Sequence, residues 1–213
     1  MTGCAPPSPT SLATELIEAP GATGVGFGDP QRAVNGVRGG GQAAQSLDVY
    51  AVPLESHLVV GFHGGVIVDG PGADLVVFEN PFDYGEELRF MDPTVVEVSD
   101  DGQRWFAFPH DYLASDERRY SARPSDWEGF AGIQPVLLHD EANSVDPFSA
   151  EAGGDHFDLA DLPPDAPGNL RYVRLSAASA WSNPDTGEAY PMDPVSDGPD
   201  IDGVFARVEP ADP

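Results

Sequence analysis

Hydrophobic residues in this chain come in short runs, separated by longer stretches rich in Asp, Gly and Pro. His57 to Phe62 and Asp74 to Glu79 are apolar through their centres and read as buried strands. Thr94 to Ser99 alternates, with Val96 and Val98 on one face and Val95 and Glu97 on the other. Asp100-Asp101-Gly102 is a tight-turn sequence and Arg104 to Phe108 returns from it, which predicts a hairpin over residues 94–108. Either Trp105 and Ala107 or Phe106 and Phe108 face the core; the pattern does not choose. Arg171 to Ser176 places Val173 and Leu175 inward and Tyr172 and Arg174 outward. Gly203 to Val208 puts Val204, Ala206 and Val208 on one face of a closing strand.

Between these segments, residues 12–18 read as one helical turn or an edge strand. Residues 20–46 and 182–202 read as loops, and 109–133 as a long polar surface excursion. The Gly39-Gly40-Gly41 run offers nothing to pack a core. No amphipathic helix longer than two turns is signalled. Short strands and long loops indicate an all-β chain. A last strand that closes the sheet fits a single jelly-roll β-sandwich. The domain is expected over 12–213, after a tether over 1–11.

The charge changes the picture. With 36 acidic residues, 10 basic ones and no lysine, the net charge is −26. Phosphate recognition needs clustered cations, so nucleic acid and anionic headgroups are excluded as partners. Self-repulsion on this scale opposes a compact state unless cations offset it. A solvated acidic surface is the bland alternative. No apolar run is long enough for a membrane span.

Cys4, the one cysteine, excludes an internal disulfide. Met1-Thr2-Gly3-Cys4 looks like the end of a bacterial lipoprotein signal, in which a small residue precedes the lipidated Cys. The Pro/Ser-rich tail behind it has tether composition. Cys4 is therefore the candidate lipidation site, with an incidental terminal cysteine as the alternative.

Carboxylates in flexible Asp/Gly loops suit calcium, which takes six to eight oxygen ligands. Three groups are the candidates: Asp155 and Asp158 in GGDHFD; Asp74, Glu79 and Asn80 around the second apolar run; and Asp200 with Asp202. They are expected to meet at one sandwich edge. For each Asp the alternative is a turn cap bonding its own backbone. Zinc spacing is absent, and no nucleophile elbow occurs. The loop aromatics Tyr84, Trp127 and Trp181 are candidate ligand-binding residues, since exposed aromatic faces serve sugars and protein partners alike. Their alternative is roofing the core.

In their order, GPGADLVVFENPF (Gly70 to Phe82), VVEVSDDGQRWFAFP (Val95 to Pro109), AGIQPV (Ala131 to Val136), GGDHFDLADL (Gly153 to Leu162), RYVRLS and DIDGVFA (Asp200 to Ala206) resemble a family of bacterial secreted and cell-surface proteins. The resemblance implies a galactose-binding-like jelly roll, akin in architecture to carbohydrate-binding modules. The expected function is a surface-anchored or secreted, calcium-stabilised binding or adhesion module without catalytic activity, binding carbohydrate or another surface protein. Two alternatives stand beside it: a carbohydrate-active hydrolase using an acidic pair, and a purely structural envelope protein.

Overall fold

The structure, a computed structural model, describes residues 9–211. Its strands begin with β1 (Thr10–Leu12), β2 (Glu15–Glu18), β3 (Tyr50–Ala51), β4 (Leu58–Gly61) and β5 (Gly65–Ile67). Then come β6 (Leu75–Phe78), β7 (Phe82–Gly85), β8 (Leu88–Phe90), β9 (Thr94–Ser99), β10 (Phe106–Ala107) and β11 (Asp111–Tyr112). The last are β12 (Trp127–Glu128), β13 (Asp155–Phe157), β14 (Tyr172–Ala177), β15 (Asp200–Ile201) and β16 (Gly203–Pro210). Among the described residues the helical segments are all short 3-10 turns, so the chain is all-β as its spacing predicts.

Two antiparallel five-stranded sheets dominate. One runs β1-β16-β6-β13, with β5 also on β16; the other runs β10-β9-β14-β4-β2. Their facing sides share one core. Leu75, Val77, Val204 and Ala206 come from the first sheet, and Leu58, Val60, Val96, Val98, Val173 and Leu175 from the second. Val173, Leu175, Val204 and Ala206 are the positions that alternation grouped on one face, because side chains two residues apart share a face. The arrangement is sandwich-like and no barrel closes.

The hairpin forms, pairing Phe106 with Val98 and Ala107 with Glu97. Phe106 and Phe108 are the inward pair. Trp105 lies outside, under the Arg174 guanidinium at 4.4 Å. That guanidinium also grips Glu97 through two bonds of 2.5 and 2.6 Å. Glu97 is thereby buried with a fixed cation across the strand pair.

One expectation about the loops is corrected. Residues 109–133 are not a polar surface excursion: Tyr112, Trp127, Phe130 and Ile133 are buried with Met91, Val95 and Tyr190 in a second apolar cluster outside β9. The sequence hid this because the apolar residues are spaced irregularly among Asp and Arg. The glycine run is loop, as expected, and is tied down by its neighbours. A Cβ at Gly39 would lie 2.3 Å from the Val136 carbonyl oxygen, so glycine lets this segment close on 136–138 over the outer face of β6. Residues 12–18 supply edge strands rather than a helical turn, and β1 begins at Thr10, inside the expected tether.

Candidate cation sites and a surface groove

β6 is a four-residue apolar strand, Leu75-Val76-Val77-Phe78, buried throughout and bracketed by two buried carboxylates. At its start, Asp74 closes the Gly70-Pro71-Gly72 turn. Its Oδ1 accepts from the Gly70 amide at 2.8 Å and its Oδ2 from the Leu159 amide at 3.1 Å. Burial still raises its pKa, because two amides do not replace full hydration. Carboxylate oxygens of Asp69, Asp74 and Asp158 all lie within 4.8 Å of one another. Asp158 also caps the 3-10 turn at Leu159–Asp161, accepting from the Ala160 amide at 2.9 Å. Two of the anticipated ligands thus meet, with Asp69 as the unanticipated third member.

At the far end of β6, Glu79 is 2% exposed. Its Oε1 accepts from the Asp200 amide at 2.8 Å, while Oε2 is buried with no hydrogen-bond partner. Burial lifts its pKa well above the usual carboxylate range, and the nearby Asp92 and Asp200 lift it further. Burial likewise pushes Asp92 up to about 7 and Asp200 up to about 6. Asn80 turns its amide toward Ser46, accepting from the Ser46 N–H at 2.6 Å and donating to its carbonyl at 3.1 Å. It positions the neighbouring loop.

The other anticipated ligands lie elsewhere, so the seven do not converge on one edge. Asp155 is buried at the start of β13, where its Oδ2 accepts from the Ile133 and Gln134 amides at 2.9 and 3.3 Å. Burial pushes its pKa up to about 7. Asp202 binds the Arg38 amide through both oxygens, at 2.9 and 3.0 Å, tying the glycine-rich loop to β16; burial pushes it up to about 7 as well. The short β13 explains why Asp155 and Asp158 part: they flank its ends, one facing the 133–134 amides and the other the Asp74 turn.

Two adjoining grooves flank β13. One, of about 580 Å³, is lined by Gln42, Arg89, Gln134, Leu137, Phe148 and His156, among others. The other, of about 530 Å³, has Asp155, Asp161, Glu128 and Trp127 on its wall. Both share Gln134 and His156. Arg89 is braced by Asp83 at 2.7 Å and by the Ile133 carbonyl at 2.6 Å, which holds its guanidinium in the wall.

No family model matches the chain, and no curated protein matches it. The family resemblance therefore rests on the sequence phrases alone.

The anticipated aromatic ligands divide. Trp127 is 2% exposed and its indole N–H donates to the Ser121 carbonyl at 2.8 Å, so it is a core residue whose edge touches one groove. That corrects its expected role as an exposed face. Trp181 is half-buried, donating to Ser176 Oγ at 2.9 Å. Tyr84 is exposed, but it lines neither groove. Cys4 lies outside the described residues. No helix among those residues is long and apolar enough to cross a membrane.

Sequence reasoning missed Asp69, Asp92 and the groove residues Gln134 and His156. Asp69 had a signal, since it opens the same Gly-Pro-Gly turn that Asp74 closes. Asp92 had none beyond its place just before β9.

Proposed function

We propose that this protein is a non-catalytic binding module of the bacterial cell surface or exterior, with a jelly-roll connection of its sheets of the galactose-binding type. Its ligand is a carbohydrate chain held in the double groove beside β13. The observation that carries this reading is the continuity of the two grooves at Gln134 and His156. Side-chain amides, a guanidinium and an imidazole can each exchange hydrogen bonds with hydroxyls, while Phe148 and Leu137 offer apolar surface to a ring. The sandwich supplies a rigid frame, and the ligand meets loops fixed upon it. A lipid anchor at Cys4 belongs to the same reading. So does calcium at the triad of Asp69, Asp74 and Asp158, where it would offset like charges and pin the turn to β13.

The test is a glycan array in calcium with the wild type and a Gln134→Ala, His156→Ala double variant. Wild-type binding lost in the variant supports the groove. Binding that survives the double substitution, or no binding to any glycan, counts against it.

One observation favours the hydrolase alternative: Asp155 is a buried carboxyl with a raised pKa on a groove wall that also carries Glu128 and Asp161. Release of reducing ends from a bound glycan, abolished by Asp155→Asn, would establish that reading in place of simple binding.

A further inference from the structure

The two halves of the groove beside β13 are electrostatic opposites. The half of about 530 Å³ carries Glu128, Asp155 and Asp161 and has no arginine in its lining. The half of about 580 Å³ carries Arg89 and has no carboxylate in its lining. With 36 acidic residues against 10 basic ones in the chain, a groove built round a guanidinium and free of acids departs from what composition alone would give.

The donors of that half are held in place with capacity to spare. Arg89 Nε donates to Asp83 at 2.7 Å and Nη1 to the Ile133 carbonyl at 2.6 Å. Nη1 also donates to Gln134 Oε1 at 3.4 Å, which leaves the Gln134 side-chain NH2 as a further donor. No hydrogen bond or ion pair among the described residues uses Arg89 Nη2. The buried side-chain atoms without a partner there are Tyr50 Oη, Glu79 Oε2 and Asn183 Nδ2, so Arg89 Nη2 is open to solvent. Asp83 offsets part of the Arg89 charge, but it does so from the Nε edge and is not in the groove lining. Gln42 is exposed in the same lining, and its backbone carbonyl accepts from the Asp83 amide at 2.8 Å. A second guanidinium, that of Arg207, lies 4.4 Å from the centre of the Phe148 ring, which is also in this lining. Donors thus outnumber charged acceptors in this half, and the reverse holds in the other.

We propose that the glycan of this groove is acidic. An anionic group on one sugar, a uronate carboxylate or a sulfate ester, lies against Arg89 Nη2 and the Gln42 and Gln134 amides. A neutral sugar next to it occupies the half beside Asp155 and Asp161. This preference rests on the groove being the glycan site, and it adds charge and direction to that reading. A hydrogen bond to an ionised acceptor is roughly twice as strong as one to a hydroxyl, so the anionic sugar fixes which way the chain lies. A glycan charged on every sugar is disfavoured, because its next anionic group meets the carboxylates of the other half.

The test is an array of uronate-bearing, sulfated and neutral glycans probed with the full chain. Titration follows with the best hit and with the same glycan after carboxyl reduction or desulfation. The proteins are the wild type, Arg89→Gln and Gln42→Glu. Gln42→Glu adds a carboxylate to the lining from an exposed position, so it leaves the fold intact. The wild type is expected to bind the acidic glycan roughly tenfold more tightly than its neutral counterpart. Both variants lose most of that ratio. Whether the array hits carry uronate or sulfate identifies the anionic group. Hits confined to neutral glycans overturn the acid preference and leave the glycan reading standing, as does an acid preference that survives in both variants. No binding to any glycan removes the glycan reading, and the acid preference with it. If Arg89→Gln does not fold, Gln42→Glu decides by the same ratio.

Discussion

The two ends of β6 present the same problem and answer it differently. At one end Asp74 is buried with both oxygens on backbone amides. At the other, Glu79 is equally buried, with one oxygen on an amide and the other on nothing. Only four residues of apolar strand separate them. The difference shows that burial alone does not mark a binding site. Asp74 holds the Gly70 turn and the Leu159 turn to the strand, and its structural work is visible in its bonds. Glu79 has one oxygen left without a hydrogen-bond partner.

The sharpest way to break this comparison is Asp74→Ala. It strands the buried Leu159 amide and the part-buried Gly70 amide, each costing roughly 1–3 kcal/mol, so a loss of about 4 kcal/mol is expected in urea denaturation in EDTA. A loss below about 1 kcal/mol would mean that Asp74 is not the anchor its bonds suggest.

Asp155 extends the comparison to pH. Burial raises its folded pKa to about 7 from an ordinary 3.8, with the amides of Ile133 and Gln134 and the charge of Arg89 pulling the other way. The folded state therefore binds the extra proton. The stability it contributes is fully present below about pH 4 and is lost as pH rises through about 7. In EDTA the wild type should lose stability between pH 5 and pH 8. Asp155→Asn should remove its share of that loss, on the order of 3 kcal/mol at about 1.4 kcal/mol per unit. Equal pH profiles for the two proteins would contradict the shift.

Glu97 is the control in which the cation is built in. Arg174→Met leaves Glu97 buried and uncompensated, and about 2–3 kcal/mol should be lost, below the usual range for a fully buried pair because Arg174 is partly exposed. Glu79→Gln is the smallest change and has the opposite sign: in EDTA, a gain of about 0–1 kcal/mol, since no partner is abandoned.

Much of the frame was legible in the sequence. Alternation in Arg171 to Ser176 and Gly203 to Val208 picked out residues that face the core, because a period of two leaves little freedom once one face is buried. The hairpin was legible through its Asp-Gly turn. The Trp127 cluster was not, because loop residues obey no period, and Trp127 is buried by contacts with Tyr112 and Phe130 that only the folded chain makes. The candidate ligands were half legible. Asp74, Asp158, Glu79 and Asp200 stand out beside glycine, proline or apolar runs, but their grouping is tertiary. β13 is too short to keep Asp155 with Asp158.

The most direct measurement is a crystal structure grown in calcium, with the ion located by anomalous scattering. The expected result is a peak in contact with carboxylate oxygens of Asp69, Asp74 and Asp158. A structure at saturating calcium with no ion among those oxygens would contradict calcium at the triad.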